Sequence, residues 1–95
     1  MDHYQISSSD HPGMTLTNAK FNRLNFVGWS RSIKMALSAK HKIGFIDGSI
    51  VRPLQCIEEF HKWTRCDNMV ACWILNSMET ELSDVFIYAE SAKEL

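Results

Sequence analysis

Apolar side chains recur every three or four residues between Phe60 and Ser77, and this long stripe constrains the fold more than any other feature of the sequence. Side chains at that spacing share one face of an α-helix, so the pattern predicts a helix over about residues 56–77. The predicted buried face carries Phe60, Trp63, Cys66, Val70, Trp73, Ile74 and Ser77. Two shorter helices with a break near Thr64–Arg65 are the alternative. In either case, other elements of the chain must cover the stripe.

Two further helices are predicted, one on each side of this segment. The first begins near Asn25, whose side chain is a good N-cap, and fades at the cations of residues 40–42. Its stripe consists of Phe26, Trp29, Ile33, Ala36 and Leu37. The last helix covers about residues 80–88 or 89, and Glu79 and Glu81 suit the positive end of its dipole. It is expected to bury Leu82, Val85, Phe86 and Ala89.

These patterns predict a mainly α fold, a small bundle of three to four helices. Residues 14–17 could form a short extended segment that docks Leu16. Residues 43–51 contain Gly44 and the pair Asp47-Gly48, which are turn residues. A tight turn, a small β-hairpin and a packed irregular loop all fit that second segment.

The 95 residues of the chain suggest one domain. Residues 1–13 are polar, with three consecutive serines and Pro12-Gly13, and are expected to form a flexible arm before a helical domain over 14–95. Ser91–Glu94 has the S-x-x-E pattern of a capping box, which announces a helix that the sequence does not continue. We therefore expect the chain to be a fragment or a truncated copy of a longer protein.

The expected core combines the apolar stripes with two residues of the segment that follows the first helix. It comprises Trp29, Ile33, Leu37, Phe45, Ile46, Trp63, Val70, Trp73, Ile74, Leu82, Val85 and Phe86. Trp63 and Trp73 lie ten residues apart, close to three helical turns, and therefore on nearly one face. The alternative role for these tryptophans is to anchor a protein interface, where Trp is enriched.

Charge is unevenly distributed, although the formal net charge is only -1. Six basic residues and no acid lie between His11 and Ile46, whereas the sequence after Leu54 carries eight acids and three bases. One interpretation is two solvated helix faces of opposite sign. The other is that the unlike halves orient copies head to tail. The candidate interface residues are Arg31, Lys34, Lys40 and Lys42 against Glu79, Glu81 and Asp84.

No pattern in the sequence indicates an active site, and we expect neither catalysis nor a cofactor. The spacings of Cys56, Cys66 and Cys72 match no zinc motif, and no nucleophile turn or phosphate-binding loop is present. An odd cysteine count without a signal sequence favours a reducing intracellular compartment, cytoplasm or nucleus, over secretion. Basic residues near Phe21, Phe26 and Trp29 leave RNA binding as an alternative, although the last two fall on the predicted core stripe.

Two long motifs resemble a known family. WSRSIKMALSAKHKIGFIDGSI, residues 29–50, resembles the signature of the Copia-like N-terminal domain of plant retrotransposons. WTRCDNMVACWILNSM, residues 63–78, resembles the Gag segment that follows it, and HPGMTLT and IYAESAKEL also fit. The chain departs from the family at His41, where Asn is usual, and at Glu79-Thr80, where Ser-Pro is frequent.

The resemblance implies a capsid-like Gag domain that self-associates into particles around the RNA of the element. In that family, RNA contact is usually credited to a C-terminal zinc knuckle, which this sequence lacks. The implied partners are other Gag copies, with weak RNA binding as a further expectation, and neither a membrane nor a small-molecule substrate is implied. The alternatives are a stand-alone truncated or domesticated binding module, and direct RNA binding through the basic first half.

Overall fold

The computed structural model describes Tyr4, Ile6, residues 10–53 and 56–88, and Lys93. These residues form four helices and no strand: α1 (Phe26–Ala39), α2 (Gly44–Asp47), α3 (Ile57–Asn76) and α4 (Thr80–Phe86). The predicted mainly α fold is therefore confirmed. Because α3 continues through Thr64–Arg65, the alternative of two shorter helices is wrong. The capping box at residues 91–94, which predicted the start of a further helix, lies outside the described residues apart from Lys93.

The core lies where α1, α2 and α3 meet, and it extends to the start of α4. Its buried apolar members are Ile33, Leu37, Phe45, Trp63, Cys66, Val70, Trp73, Ile74, Met78 and Leu82. Trp29 and Ile46, which were expected in the core, are partly buried and pack against it. Phe45 links α2 to α3 through a tilted ring contact with Trp63, with centroids 6.0 Å apart. Apolar burial at this junction is the main stabilising term of so small a fold.

Val85 and Phe86 were expected in the core, and this expectation is wrong. Val85 is 63% exposed and Phe86 36%. Burial on α4 stops at Leu82 and the half-buried Ser83, so the second turn of this short helix projects beyond the core. Phe26, at the start of α1, is likewise 57% exposed.

Ser77 joins three otherwise separate parts of the chain just after α3 ends. Its side chain is fully buried. The Ser77 hydroxyl donates to the Trp73 carbonyl at 2.8 Å and accepts from the Leu16 N–H at 2.9 Å. The Ser77 carbonyl accepts from the Phe21 N–H at 2.9 Å and from Trp29 Nε1 at 2.8 Å. This residue therefore holds the segment before α1, α1 itself and the end of α3 together.

Each tryptophan side chain donates a hydrogen bond to a carbonyl outside its own helix. Trp29 reaches Ser77, as above, and Trp63 Nε1 donates to the Ile50 carbonyl at 3.1 Å. Trp73 Nε1 donates to the His11 carbonyl at 2.8 Å. A buried indole N–H needs a hydrogen-bond acceptor, and in this fold the acceptors are backbone carbonyls of non-helical residues. The same bonds give these carbonyl oxygens a donor. The tryptophans thus attach non-helical chain to the helical core.

Within residues 1–13, the residues that the structure describes contact the helical core. Tyr4 and Ile6 pack against the core, and the Tyr4 ring lies 6.3 Å from that of Phe45. Asp10 forms an ion pair with Lys40 at 2.7 Å. The flexible arm predicted for residues 1–13 stays a prediction, and the described part of that segment contacts α2, α3 and Lys40, the residue that follows α1.

Residues 43–51 form the short helix α2 and a turn, and not a hairpin. Gly48 ends α2 in the left-handed conformation, with φ 85°, which glycine adopts without steric cost. Gly44 is buried, and a Cβ there would collide with the Ile50 side chain. The Ser49 backbone N–H donates to Asp47 Oδ1 at 2.8 Å, and this bond lowers the pKa of the exposed Asp47 carboxyl.

The ends of α1 use interactions that the sequence pattern did not reveal. Asn25 occupies the N-cap position, but its side chain makes no capping hydrogen bond. Instead, its Oδ1 accepts from the Asn22 N–H and its Nδ2 donates to the Lys20 carbonyl, both at 3.0 Å, which fixes the preceding loop.

At the other end of α1, His41 adopts the left-handed conformation, with φ 59°. The Lys42 N–H donates to the Leu37 carbonyl at 2.8 Å and the His41 N–H to the Ser38 carbonyl at 3.1 Å. These two bonds form a Schellman motif, whose left-handed position favours Gly and then Asn. The chain therefore turns sharply inward after Lys40.

Replacing Ser77 by alanine should lower the free energy of unfolding by about 1–3 kcal/mol, because the half-buried Leu16 N–H loses the buried Ser77 hydroxyl as its acceptor. Urea denaturation followed by tryptophan fluorescence measures this change. The matched control is Ser38→Ala at an exposed position on α1, which should change the free energy of unfolding by less than about 0.5 kcal/mol. Equal effects of the two substitutions would contradict the role assigned to Ser77.

Replacing His41 by glycine should raise the free energy of unfolding by about 1 kcal/mol, since the strain of a left-handed L-residue is removed. Ala39→Gly, two residues earlier within α1, should lower it by about 0.5–1 kcal/mol because glycine weakens a helix. Thermal and urea denaturation of both variants would show these opposite signs. A loss of stability for His41→Gly would argue against the left-handed turn.

Candidate functional surfaces

The four predicted interface cations occupy three different environments. Arg31 and Lys34 are exposed on α1. Lys40 is half-buried, pairs with Asp10, and holds its Nζ 5.1 Å from the centre of the Trp73 ring. Lys42 is only 2% exposed, and its Nζ donates to the Lys40 carbonyl at 3.4 Å.

The expectation that Lys42 belongs to an interface is therefore wrong. The physical cause is the left-handed turn at His41, which directs the chain inward immediately after α1. Lys40 is bound to its own chain by an ion pair and a cation–π contact. Of the four predicted cations, Arg31 and Lys34 are the two that are fully exposed.

These two cations lie on a shallow groove along the outer side of α1, which we call the α1 outer face. It is lined by Phe26, Val27, Ser30, Arg31, Lys34, Met35 and Ser38. Val27 and Met35 are 84% and 60% exposed. The residues share one face because they follow four-residue spacing along the helix. No acid lies between His11 and Ile46, so this face is apolar and purely cationic.

Sequence reasoning missed Val27 and Met35, although a signal for them was present. With Arg31 between them, they lie at positions i, i+4 and i+8 on the side of α1 that is opposite the core stripe. Large apolar residues repeated on a polar helix face often mark an interaction site.

A second surface of opposite charge surrounds α4, and we call it the α4 surface. It consists of the exposed acids Glu79, Glu81 and Asp84 and the exposed apolar residues Val85, Ile87 and Tyr88. Tyr88 is 88% exposed. No Lys or Arg occurs between Arg65 and Lys93, so the residues that make up the α4 surface are apolar or acidic.

The two surfaces do not neutralise each other within one chain. The ion pair between Lys40 and Asp10 joins residues of neither surface, and the cations and acids of the two surfaces are exposed. The cations of the α1 outer face and the acids of the α4 surface therefore both face solvent.

The described residues contain no group of three or more His, Cys, Asp or Glu side chains that could hold a metal ion. Cys56 is exposed, Cys66 is buried with its Sγ 3.2 Å from the Tyr4 carbonyl oxygen, and Cys72 is half-buried. A further cleft lies between α1 and the segment before it, and its lining residues carry no charge. None of the helices that the structure describes combines the length and the hydropathy of a membrane span.

Comparison with known proteins identifies one family. The model of the family described as Gag-polypeptide of LTR copia-type matches residues 7–54, just over half of the chain, which includes α1 and α2. No curated protein and no solved structure matches the sequence. Because the match covers half of its length, the chain belongs to the copia-type Gag family.

Proposed function

We propose that this chain is a non-enzymatic structural module of a retrotransposon Gag protein, whose copies associate with one another. Membership of the copia-type Gag family supports a structural role in a polyprotein. Three cysteines, one of them exposed, fit the reducing intracellular compartment in which we place this protein.

The observation that carries the proposal is where the exposed apolar residues lie. Ten large hydrophobic side chains are exposed in the described chain, and eight of them fall within residues 24–35 and 85–88. Single exposed apolar residues are ordinary, but their concentration in two segments is typical of protein–protein contact sites. The core does not need these side chains, so their burial between copies would be an added stabilisation.

RNA is the competing occupant of the α1 outer face. Phe26, which falls on the predicted apolar stripe of the first helix, is exposed there together with Arg31 and Lys34. An exposed aromatic ring next to cations can stack on a base while the cations contact phosphates. RNA binding would account for the α1 outer face alone, since the acidic α4 surface would repel RNA.

Light scattering over a range of protein concentrations tests self-association. We expect the average mass to rise with concentration at about 0.05 M salt, and to rise less at about 1 M salt, where charge attraction is screened beyond about 3 Å. Weak contacts have dissociation constants of up to about 1 mM. An average mass that stays at the monomer value up to that protein concentration would contradict the proposal.

Replacing Val27 and Met35 together by serine should weaken association about tenfold, since about 1.4 kcal/mol of apolar burial would be lost. Val51→Ser is the matched control, because Val51 is equally exposed but lies on neither surface. Light scattering measures association of each variant, and urea denaturation checks that each is folded. Equal association of both variants and the unaltered chain would show that the α1 outer face is not used.

A further inference from the structure

We infer that the association is heterologous: the α1 outer face of one copy receives the α4 surface of a second copy. This inference rests on the proposed function and names the contact that would produce it. The partner is another molecule of this same chain, and each molecule would contribute two different surfaces to two neighbours.

Charge decides against contacts between like surfaces. Two α1 outer faces would bring Arg31 and Lys34 against the same cations of another copy, and two α4 surfaces would oppose acids to acids. Like charges that meet across an interface cost several kcal/mol, whereas unlike charges fix register and speed encounter. Only the pairing of α1 with α4 opposes unlike charges.

Apolar side chains make the same pairing favourable. The α1 outer face is a groove lined by Phe26, Val27 and Met35, and Arg31 and Lys34 lie along it. The α4 surface offers Val85, Ile87 and Tyr88, which project beyond the core. Burial of these side chains supplies affinity, while the charges supply orientation. Tyr88 is the natural anchor, since exposed Tyr rings are favoured at interface centres and pack well on guanidinium groups.

The geometry within one chain leaves both surfaces available. None of the described ion pairs joins Arg31 or Lys34 to Glu79, Glu81 or Asp84. Each copy therefore carries one free basic surface and one free acidic surface. A contact of this kind repeats from copy to copy, and produces a ring if the rotation closes and an open filament if it does not.

The test uses two charge-reversal variants of the whole chain. In the first, Arg31→Glu and Lys34→Glu make the α1 outer face acidic; in the second, Glu81→Lys and Asp84→Lys make the α4 surface basic. We expect each variant alone to associate at least about tenfold more weakly than the unaltered chain, because its two surfaces now carry the same sign. An equimolar mixture should recover association, because the unaltered acidic surface of the first variant fits the unaltered basic surface of the second.

Two kinds of control accompany these variants. In a chain that carries all four substitutions, the α1 outer face is acidic and the α4 surface is basic. The two surfaces again have opposite signs, so this chain should associate by itself. The pairs Lys62→Glu with Arg65→Glu, and Glu58→Lys with Glu59→Lys, change the net charge by the same amounts at exposed positions of α3 and should leave association unchanged. Circular dichroism and urea denaturation show whether each variant is folded.

Several outcomes would overturn the inference. If the second variant alone associates like the unaltered chain, the α4 surface takes no part. If both variants lose association but their mixture does not recover it, the two surfaces do not meet each other. If the first variant loses affinity for single-stranded RNA but keeps self-association, the α1 outer face binds nucleic acid instead. In these three cases the unaltered chain still associates, whereas a strictly monomeric unaltered chain would refute the proposed function itself.

Discussion

The hydrogen bonds of Ser77 are the constraint on which the rest of the structure depends. Its hydroxyl and carbonyl bind the backbone of Leu16 and Phe21, the Trp29 indole and the last turn of α3. A chain of this size buries little apolar area, so helix packing alone leaves a small margin of stability. The irregular segment before α1 contains polar backbone groups that need partners wherever it meets the core. Ser77 supplies those partners at the point where three parts of the chain converge.

The same contacts determine how the two candidate surfaces are placed. The Phe21 N–H donates to Ser77, and the Phe21 carbonyl accepts from the Glu79 N–H at 3.0 Å, just before α4. The Phe21 ring stacks on Trp29 of α1, with centroids 4.8 Å apart. Phe21 thus connects the start of α1 with the start of α4. If copies associate through these two helices, the angle between successive copies is determined by this connection and not only by the surfaces themselves.

The sequence pattern predicted α3 to within one residue at each end, because a stripe of seven side chains allows only one helical face to be buried. It was less informative for α4. Val85 and Phe86 follow Leu82 at helical spacing, but spacing does not show where the core ends along a helix of seven residues. Lys42 was misplaced because its burial follows from the left-handed backbone at His41. Only a few per cent of non-glycine residues adopt that conformation, so a histidine alone does not predict it. The usual Asn of the family at this position would have indicated it, since Asn tolerates the left-handed region better.

Hydrogen exchange of individual backbone amides tests the role of Ser77 most directly. The Leu16 and Phe21 amides lie outside any helix, yet both donate to Ser77. If Ser77 holds the fold together, they exchange only upon global unfolding, at the rate of the Val70 amide in the middle of α3. The exposed Asn18 and Ala19, between them in sequence, should exchange quickly. Leu16 and Phe21 amides that exchange as fast as those of Asn18 and Ala19 would contradict the account.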